Sequence, residues 1–401
     1  MLQRIWHAPT VGRLSHSLRH VQPFDLPVHC RSAPADSSQK PASHRDALQF
    51  EAPCIFRCHL HHQSVAEQVA IIGAGVSGLT CGIVLAEHGH RTVIFAKDIG
   101  QQTTSSVAAA VWFPYHVEPA EKVIPLALET YQVLSDLARF PETGVSVIES
   151  RQFVRTGEIE IPDWAIPLGA SVIPSEAEVS RGVTPKLCPR DPSTPLRSAQ
   201  NDDRFESGFS LRTPLTDTTI YLDYLAARFR KAGGEIKANV CFEKLEDVDR
   251  QFDLVINCAG IGARDLVQDA DLEPHRGQVA IVPKIEGLSS AIVCDDEPLM
   301  YAIPRANDCV FGGTNELSDN LAADRATTSR IVTECSRVLN VEKPRVLAER
   351  VGLRPFRKSG VRIECGQLLD GRTVIHNYGH GGAGFTLSWG CARAVLQAAA
   401  S

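Results

Sequence analysis

Gly73, Gly75 and Gly78 stand in the spacing Gly-x-Gly-x-x-Gly where an apolar run, "QVAIIGAG", meets an amphipathic stretch, "VSGLTCGIVLAEHG". If the junction is a strand, a turn and a helix, the three glycines divide the work. Gly73 permits the tight turn, Gly75 lets backbone approach a pyrophosphate, and Gly78 lets helix lie on strand. Phosphate charge then meets free N–H groups at the positive end of the helix. Alone, this spacing is weak. Here a second apolar run, "RTVIFAKD", follows the helix, and an acid, Asp98, lies twenty residues past Gly78, where the ribose of a dinucleotide would be held. Asp98 falls beyond the usual close of that strand, which leaves its role open. Lys97 beside it could face solvent or phosphate.

A second glycine cluster, Gly379, Gly381, Gly382 and Gly384, sits in "VIHNYGHGGAGFTLSWG". Ordered glycine costs backbone entropy, so such a cluster needs a reason. A nicotinamide site has no use for a second backbone surface about three hundred residues further on, whereas a flavin needs backbone N–H groups along its ribityl chain and ring edge. "GHGGAGFT" followed by "LSWGCARAVLQAAA" predicts another helix N-terminus aimed at such a ring. The two cradles together favour FAD over NAD; the plainer alternative is a glycine-rich turn before a terminal helix. "GLRPFR" places Arg354 and Arg357 on an otherwise apolar segment. A guanidinium fork there suits a carboxylate, although an ion pair would account for an arginine equally.

The 401 residues are 43% hydrophobic and 22% charged, the balance of an ordinary globular protein. A net charge of -6 and a pI near 6.2 remove the basic footprint of a nucleic-acid binder, and no run reaches the roughly 18 apolar residues of a membrane span. The partner expected is a small molecule. Twelve cysteines are scattered singly, as buried free thiols in a reducing compartment, here the cytoplasm, would be. "CIFRCHLHH" brings together Cys54, Cys58, His59, His61 and His62, but no second cysteine pair follows at finger-like distance, so no metal is expected.

Residues 1–65 lack helix or strand periodicity and read as a disordered N-terminal extension. Their Arg-rich, acid-poor start, "MLQRIWHAPTVGRLSHSLRH", could mimic an organelle transit peptide; the preferred reading is a start assigned upstream of a chain that begins near Val65. Residues 171–204 carry prolines at 174, 185, 189, 192 and 195 and no apolar period, which predicts a disordered insertion, with an active-site lid as the alternative. The insertion also resembles the translated form of dispersed bacterial intergenic repeats. Elsewhere β-branched runs alternate with amphipathic stretches, as in α/β proteins. "YLDYLAARFRKAGGEI" reads as a helix with a Gly-Gly stop, and "FDLVINCAG" as a strand buried in a parallel sheet.

Alongside "IIGAGVSGL", the motifs "TTSSVAAAVWFPY", "NCAGIGARDL", "PHRGQV", "YAIPR", "GLRPFR" and "VIHNYGHGGAGFT" occur in order. From about Val69 to Gln397 the chain resembles the D-amino-acid oxidase and D-aspartate oxidase family, flavoenzymes of the glutathione-reductase-like class. The resemblance carries FAD contacts onto Gly73, Ala74, Gly75, Ser77 and Gly78, onto Lys97 and Asp98, and onto Thr104, Ser105, Ala109, Ala110 and Val111. It carries them further onto Phe242, Cys258 and Gly260, and onto Gly381, Gly382, Ala383, Gly384, Phe385 and Thr386.

The same resemblance implies the substrate chemistry. Arg354 would face the substrate carboxylate, the Tyr301 hydroxyl would reach it too, and the Gly382 carbonyl would accept from the amine. These three fix which enantiomer turns its Cα–H to flavin N5, so a D-amino acid, O2 and water would yield a 2-oxo acid, ammonia and hydrogen peroxide. No side chain need act as general base, and His380 is expected to orient structure. Where mammalian amino-acid oxidases carry a second tyrosine, this chain has Glu297, which puts the lid and its substrate preference in doubt: an acid there could favour cationic side chains, but the preferred reading is a shifted, solvated loop.

The expected architecture is α/β: a discontinuous Rossmann-like FAD domain (66–111, 222–268 and 365–401) with an interleaved mixed-sheet substrate domain (112–221 and 269–364). D-aspartate oxidation is a rival that would want a second cation, and glycine or sarcosine oxidation is another. A flavin-binding protein inactivated by its insertion is the non-enzymatic alternative. The oligomeric state is left open, a homodimer among the options.

Overall fold

The structure is a computed structural model and describes residues 67–173 and 205–401. The expected N-terminal extension, the cysteine–histidine cluster at 54–62 and nearly all of the expected insertion lie outside the described residues.

In chain order, β1 (Gln68–Ile72), α1 (Val76–Glu87) and β2 (Arg91–Ala96) form the strand–helix–strand unit that the first glycine motif predicts. Then come α2 (Thr104–Val107), α3 (Ala120–Leu137), β3 (Val145–Val154), β4 (Ser171–Val172), β5 (Ser207–Thr216), α4 (Thr218–Lys231) and β6 (Glu235–Ala238). Next are β7 (Leu254–Asn257), α5 (Ala263–Leu266), β8 (Leu272–Pro283), β9 (Ser290–Cys294), β10 (Met300–Pro304), β11 (Asp308–Gly312) and β12 (Glu316–Leu317). The described chain closes with α6 (Arg325–Leu339), β13 (Ala348–Arg357), β14 (Arg362–Gln367), β15 (Thr373–Tyr378) and α7 (Gly384–Ala399).

One sheet runs β14-β15-β7-β1-β2-β6, parallel from β15 to β6 with β14 antiparallel at the edge. All four residues of β7 are buried between β15 and β1, which explains why its sequence is apolar without alternation. The chain leaves β1 toward β2 on one side while β7 lies on the other, and a crevice opens beyond the carboxyl ends of strands at such a switch point. α1 is buried along most of its length and packs on α4 and α7.

The other sheet has nine strands in the order β12-β8-β11-β10-β9-β3-β5-β4, with β13 on the second edge of β8. Its pairs are antiparallel except β3 with β9. Alternate residues divide between its faces, as a pleated strand requires. Ala280, Val282, Ala302 and Phe311 pack under Ile331, Val332 and Cys335 of α6. Val279, Ile281, Ile303 and Val310 face the opposite way, toward Val107, Ala109 and Val111. One face is thus covered by a helix, and the other is turned to the segment that follows the first βαβ unit.

The structure moves the edge of the insertion. Ser171 and Val172 pair with Ser210 and Phe209, and the Ile173 N–H donates to the Gly208 carbonyl at 2.9 Å, so the first residues of the expected insertion belong to the sheet. Ser171 and Val172 are exposed, whereas Ile173 packs partly buried against the apolar cluster under α6, a contact that no local pattern announces. Residues 174–204 therefore connect two adjacent antiparallel strands, a geometry that a short turn also closes. Replacing 174–204 by a short Asn-Gly-containing turn is expected to keep the fold and raise stability by up to roughly 2 kcal/mol through the lower closure entropy. Thermal denaturation checks this, and a drop in the midpoint would mean that the segment packs on the sheet.

Of the eight cysteines among the described residues, six are buried and all eight are free, in line with unpaired thiols. Among the described residues no helix is long and apolar enough to cross a membrane.

Candidate active site

A cavity of about 1320 Å³ opens where the two sheets face the α1 and α7 N-termini. It exceeds the roughly 300 to 1,000 Å³ of common small-ligand sites and has room for a dinucleotide and a small substrate together. Gly73, at φ +108°, makes the turn out of β1, where a methyl group would strike the Cys258 carbonyl at the end of β7. Gly78 lies against the Gly73 carbonyl with no space for a methyl group, so it joins helix to turn and does not line the cavity. Gly75 caps α1, and its nearest neighbour in the direction of a side chain is Ser105 Oγ, 2.9 Å from where a Cβ would stand. That hydroxyl accepts from the Val76 N–H at 3.0 Å. Gly73 and Gly78 are thus fixed by backbone packing, whereas Gly75 meets only the Ser105 hydroxyl and lines the cavity at the α1 N-terminus.

The remaining expected cofactor residues converge on the same cavity from five places. Ala74 and Ser77 come from the turn and α1, and exposed Lys97 and Asp98 from the end of β2. Thr104, Ser105, Ala109, Ala110 and Val111 come from α2 and the chain after it, and Phe242, Cys258 and Gly260 from the segments around β7. Gly381, Gly382, Gly384, Phe385 and Thr386 close it at the α7 N-terminus. Ala383 is fully buried as the residue before α7 and does not line it.

The glycine loop before α7 has a cause that its sequence conceals. A methyl group on Gly381 would collide with the His116 carbonyl, and one on Gly382 would lie 2.5 Å from Cδ1 of Tyr115. The loop is thin because the 115–116 segment lies against it, in addition to whatever occupies the cavity. His380 is buried beside it, and its Nε2 lies 3.0 Å from Asn377 Oδ1. Burial holds the His380 imidazole down at about 4, so it is neutral at physiological pH and its contact is one of orientation.

The floor of the cavity is the uncovered face of the nine-stranded sheet. Tyr301 on β10 pairs with Gly312 on β11, and its ring lies over that glycine so closely that a methyl group there would fall inside it. Arg354 on β13 extends across Gly277 of β8, where a Cβ would stand 2.5 Å from Nη1, and donates from Nη1 to the Thr314 carbonyl at 2.9 Å. The two side chains thus reach toward each other along a lane cleared by Gly277 and Gly312. Burial raises the Tyr301 phenol while Arg354 pulls the other way, so the hydroxyl stays protonated and can donate.

Tyr115 also lines this end, with its phenol pushed up by burial and by Asp295. It is not among the residues expected from the sequence, although it closes the motif "TTSSVAAAVWFPY", where a phenol beside an alanine-rich turn is a usable signal. Asp295 lines the cavity as well and carried no sequence signal. Glu297, the acid that did raise a question, is exposed, accepts from the Leu299 N–H at 3.4 Å and lies off the cavity wall. His116, stacked on Phe356 with centroids 4.2 Å apart, is lowered to about 4 by burial and by His275, so it adds no charge beside Arg354.

A dinucleotide cradle opening directly onto an arginine- and tyrosine-bearing floor defines a flavin-dependent oxidoreductase. The chain belongs to the FAD dependent oxidoreductase family, whose pattern matches residues 68–398, so its cofactor is FAD. It is 35% identical to a D-amino-acid oxidase of Rubrobacter xylanophilus, across 86% of this chain and 99% of that one. It is 30% identical to a D-aspartate oxidase of Homo sapiens, across 81% of this chain and 92% of the relative. Glycine oxidase from Geobacillus kaustophilus overlays with a TM-score of 0.66 at 16% identity, covering 82% of this chain and 94% of that structure, a likeness that shows the fold. The expected family, α/β fold and cofactor are borne out.

Proposed function

We propose that the protein is a D-amino-acid oxidase, converting a D-amino acid, O2 and water to a 2-oxo acid, ammonia and hydrogen peroxide. The observation that carries this reading is the meeting of Arg354 and Tyr301 over the glycine lane, at the end of the cavity that the FAD cradle opens into. FAD would be held by the two helix N-termini and the chain from Thr104 to Val111, and when bound would supply the two-electron acceptor.

Arg354 holds the substrate carboxylate with two parallel N–H donors and stays charged while half-buried. The neutral Tyr301 hydroxyl donates to the same group, and the Gly382 carbonyl accepts from the amine. With carboxylate and amine fixed, only one enantiomer turns its Cα–H to the cofactor. Neutral His116 and His380 leave the guanidinium as the positive charge that binds the acid. No side chain is required to take a Cα proton, because the hydrogen would leave Cα as a hydride to the two-electron acceptor that bound FAD would supply, while the lone pair of the neutral amine forms the C=N bond. A D-aspartate oxidase would want a second cation facing the substrate; Arg350 also lines the cavity, but its Nη1 is turned to Gln101 Oε1 and the Ser106 carbonyl, both at 3.4 Å, while Asp295 adds a negative charge to the floor.

The two sheets favour a division into an FAD domain of 66–111, 222–268 and 365–401 and a substrate domain of 112–221 and 269–364, except that β14, from Arg362, already belongs to the sheet of the FAD domain. Free thiols fit a cytoplasmic setting. A peroxide-coupled assay over a panel of D- and L-amino acids tests the function: peroxide from D-forms is expected, and peroxide from L-forms alone would overturn it.

Gly312→Ala offers a finer check on Tyr301. The added methyl group displaces the ring, and a displacement of about 1 Å at a positioning contact is expected to cost roughly ten- to a hundredfold in kcat/KM. Bound flavin should be retained, because Gly312 lies off the cradle. Unchanged kinetics would show that Tyr301 does not touch substrate.

A further inference from the structure

Asp295 belongs neither to the cradle nor to the carboxylate site. It lies just past β9, two residues beyond Val293, which pairs directly with Tyr301. Strand side chains alternate faces, so Asp295 shares the cavity-facing side with Val293, and both line the cavity. Asp295 keeps accessible surface although protein surrounds it closely, and it lines the cavity. Its neighbours in the loop turn elsewhere: Asp296 accepts from the Arg155 N–H at 2.7 Å and Glu297 from the Leu299 N–H. Tyr301 leans over Gly312 and Leu299 over Gly313, both away from β9, which leaves the Asp295 carboxylate uncovered. Among the described residues no hydrogen bond or ion pair engages it.

Antiparallel register puts Asp295 in the same row across the floor as Thr314 and Gly277, over which the Arg354 guanidinium lies. From the β8–β11 boundary to β9 is two to three strand spacings, about 10 to 14 Å. An amino acid held by its carboxylate at Arg354 would send a long side chain along this row and end at Asp295.

We propose that Asp295 selects the substrate side chain, favouring D-amino acids that carry a positive charge at the end of a long aliphatic stem. This rests on the oxidase reading above and adds the substrate class. An unpaired carboxylate in a half-enclosed space gains a charge-assisted partner from an ammonium or guanidinium group. It repels a side-chain carboxylate. The charged groups facing Asp295 are Arg354 from β13 and Asp296 from its own loop, and Tyr115 and Tyr301 are the titratable hydroxyls that share its surroundings. Burial, then Asp296, raise Asp295 to about 6, so the preference should be present above that pH and fade below it.

The experiment compares D-lysine with D-norleucine, which has the same stem without the ammonium group, in the wild-type holoenzyme and in Asp295→Asn and Asp295→Glu. The wild-type ratio of kcat/KM, D-lysine over D-norleucine, should fall at least about tenfold in Asp295→Asn, and Asp295→Glu should keep most of it. Binding of two carboxylates that cannot be oxidised, δ-aminovalerate and valerate, gives a second readout by calorimetry, with the same loss of discrimination expected. If the D-amino acids are not oxidised at all, the oxidase reading fails, and the δ-aminovalerate comparison still decides this one. Equal ratios in wild type and Asp295→Asn, or equal affinities for the two carboxylates in the wild type, would overturn it.

Discussion

Arg354→Ala should leave the purified protein yellow while removing most of its affinity for substrate. The guanidinium lies on the floor, anchored by its bond to the Thr314 carbonyl, and takes no part in the cradle around α1. Losing a bidentate contact to a carboxylate that is already desolvated costs roughly 3 kcal/mol, or about two orders of magnitude in KM. Arg354→Lys should recover only part of this, because an ammonium is a point charge and cannot hold both carboxylate oxygens in one plane. Steady-state kinetics with the flavin spectrum as a loading control measure both effects. An unchanged KM in Arg354→Ala would show that another residue holds the acid.

The complementary result is expected of Gly75→Leu, which should fold and come off the column colourless. Gly75 has φ -74° and ψ -176°, a conformation open to any L-residue, so the substitution does not strain the backbone. The leucine side chain would start 2.9 Å from Ser105 Oγ and occupy the space in front of the free N–H groups of α1, where the pyrophosphate belongs. Gly78→Ala provides the contrast. Its methyl group would run into the Gly73 carbonyl, so that variant should lose structure together with flavin. Circular dichroism and flavin absorbance separate the two cases, and a yellow Gly75→Leu protein would mean that the phosphates bind elsewhere.

What the sequence makes legible is what local spacing controls. The first glycine motif locates β1, α1 and β2, the unbroken apolar run locates β7 at the centre of its sheet, and the C-terminal helix is visible from its composition. Arg354 and Tyr301 could be named from their motifs, but the reason they reach each other could not. That reason is a register across β10, β11, β8 and β13, which sets Gly312 beneath one ring and Gly277 beneath the guanidinium. The same holds for the thin loop before α7, whose glycines answer partly to the 115–116 segment far away in sequence. The acids after β9 show the limit most plainly. Glu297 drew attention by its place in a motif, yet the pairing of Val293 with Tyr301 turns Asp295, two residues earlier, into the cavity. A one-residue slip there would exchange the faces, and no local pattern fixes that register.

Whether electrons pass from a D-amino acid, and not from its mirror image, into the bound cofactor is decided by anaerobic titration of the FAD-loaded protein with each enantiomer in turn. The flavin itself is the reporter there, so neither oxygen nor a coupling enzyme intervenes. With D-lysine the yellow absorbance should bleach fully at about one equivalent per flavin, and with L-lysine it should persist. Bleaching by the L-form, or a flavin that stays oxidised with every D-amino acid offered, would refute the oxidase.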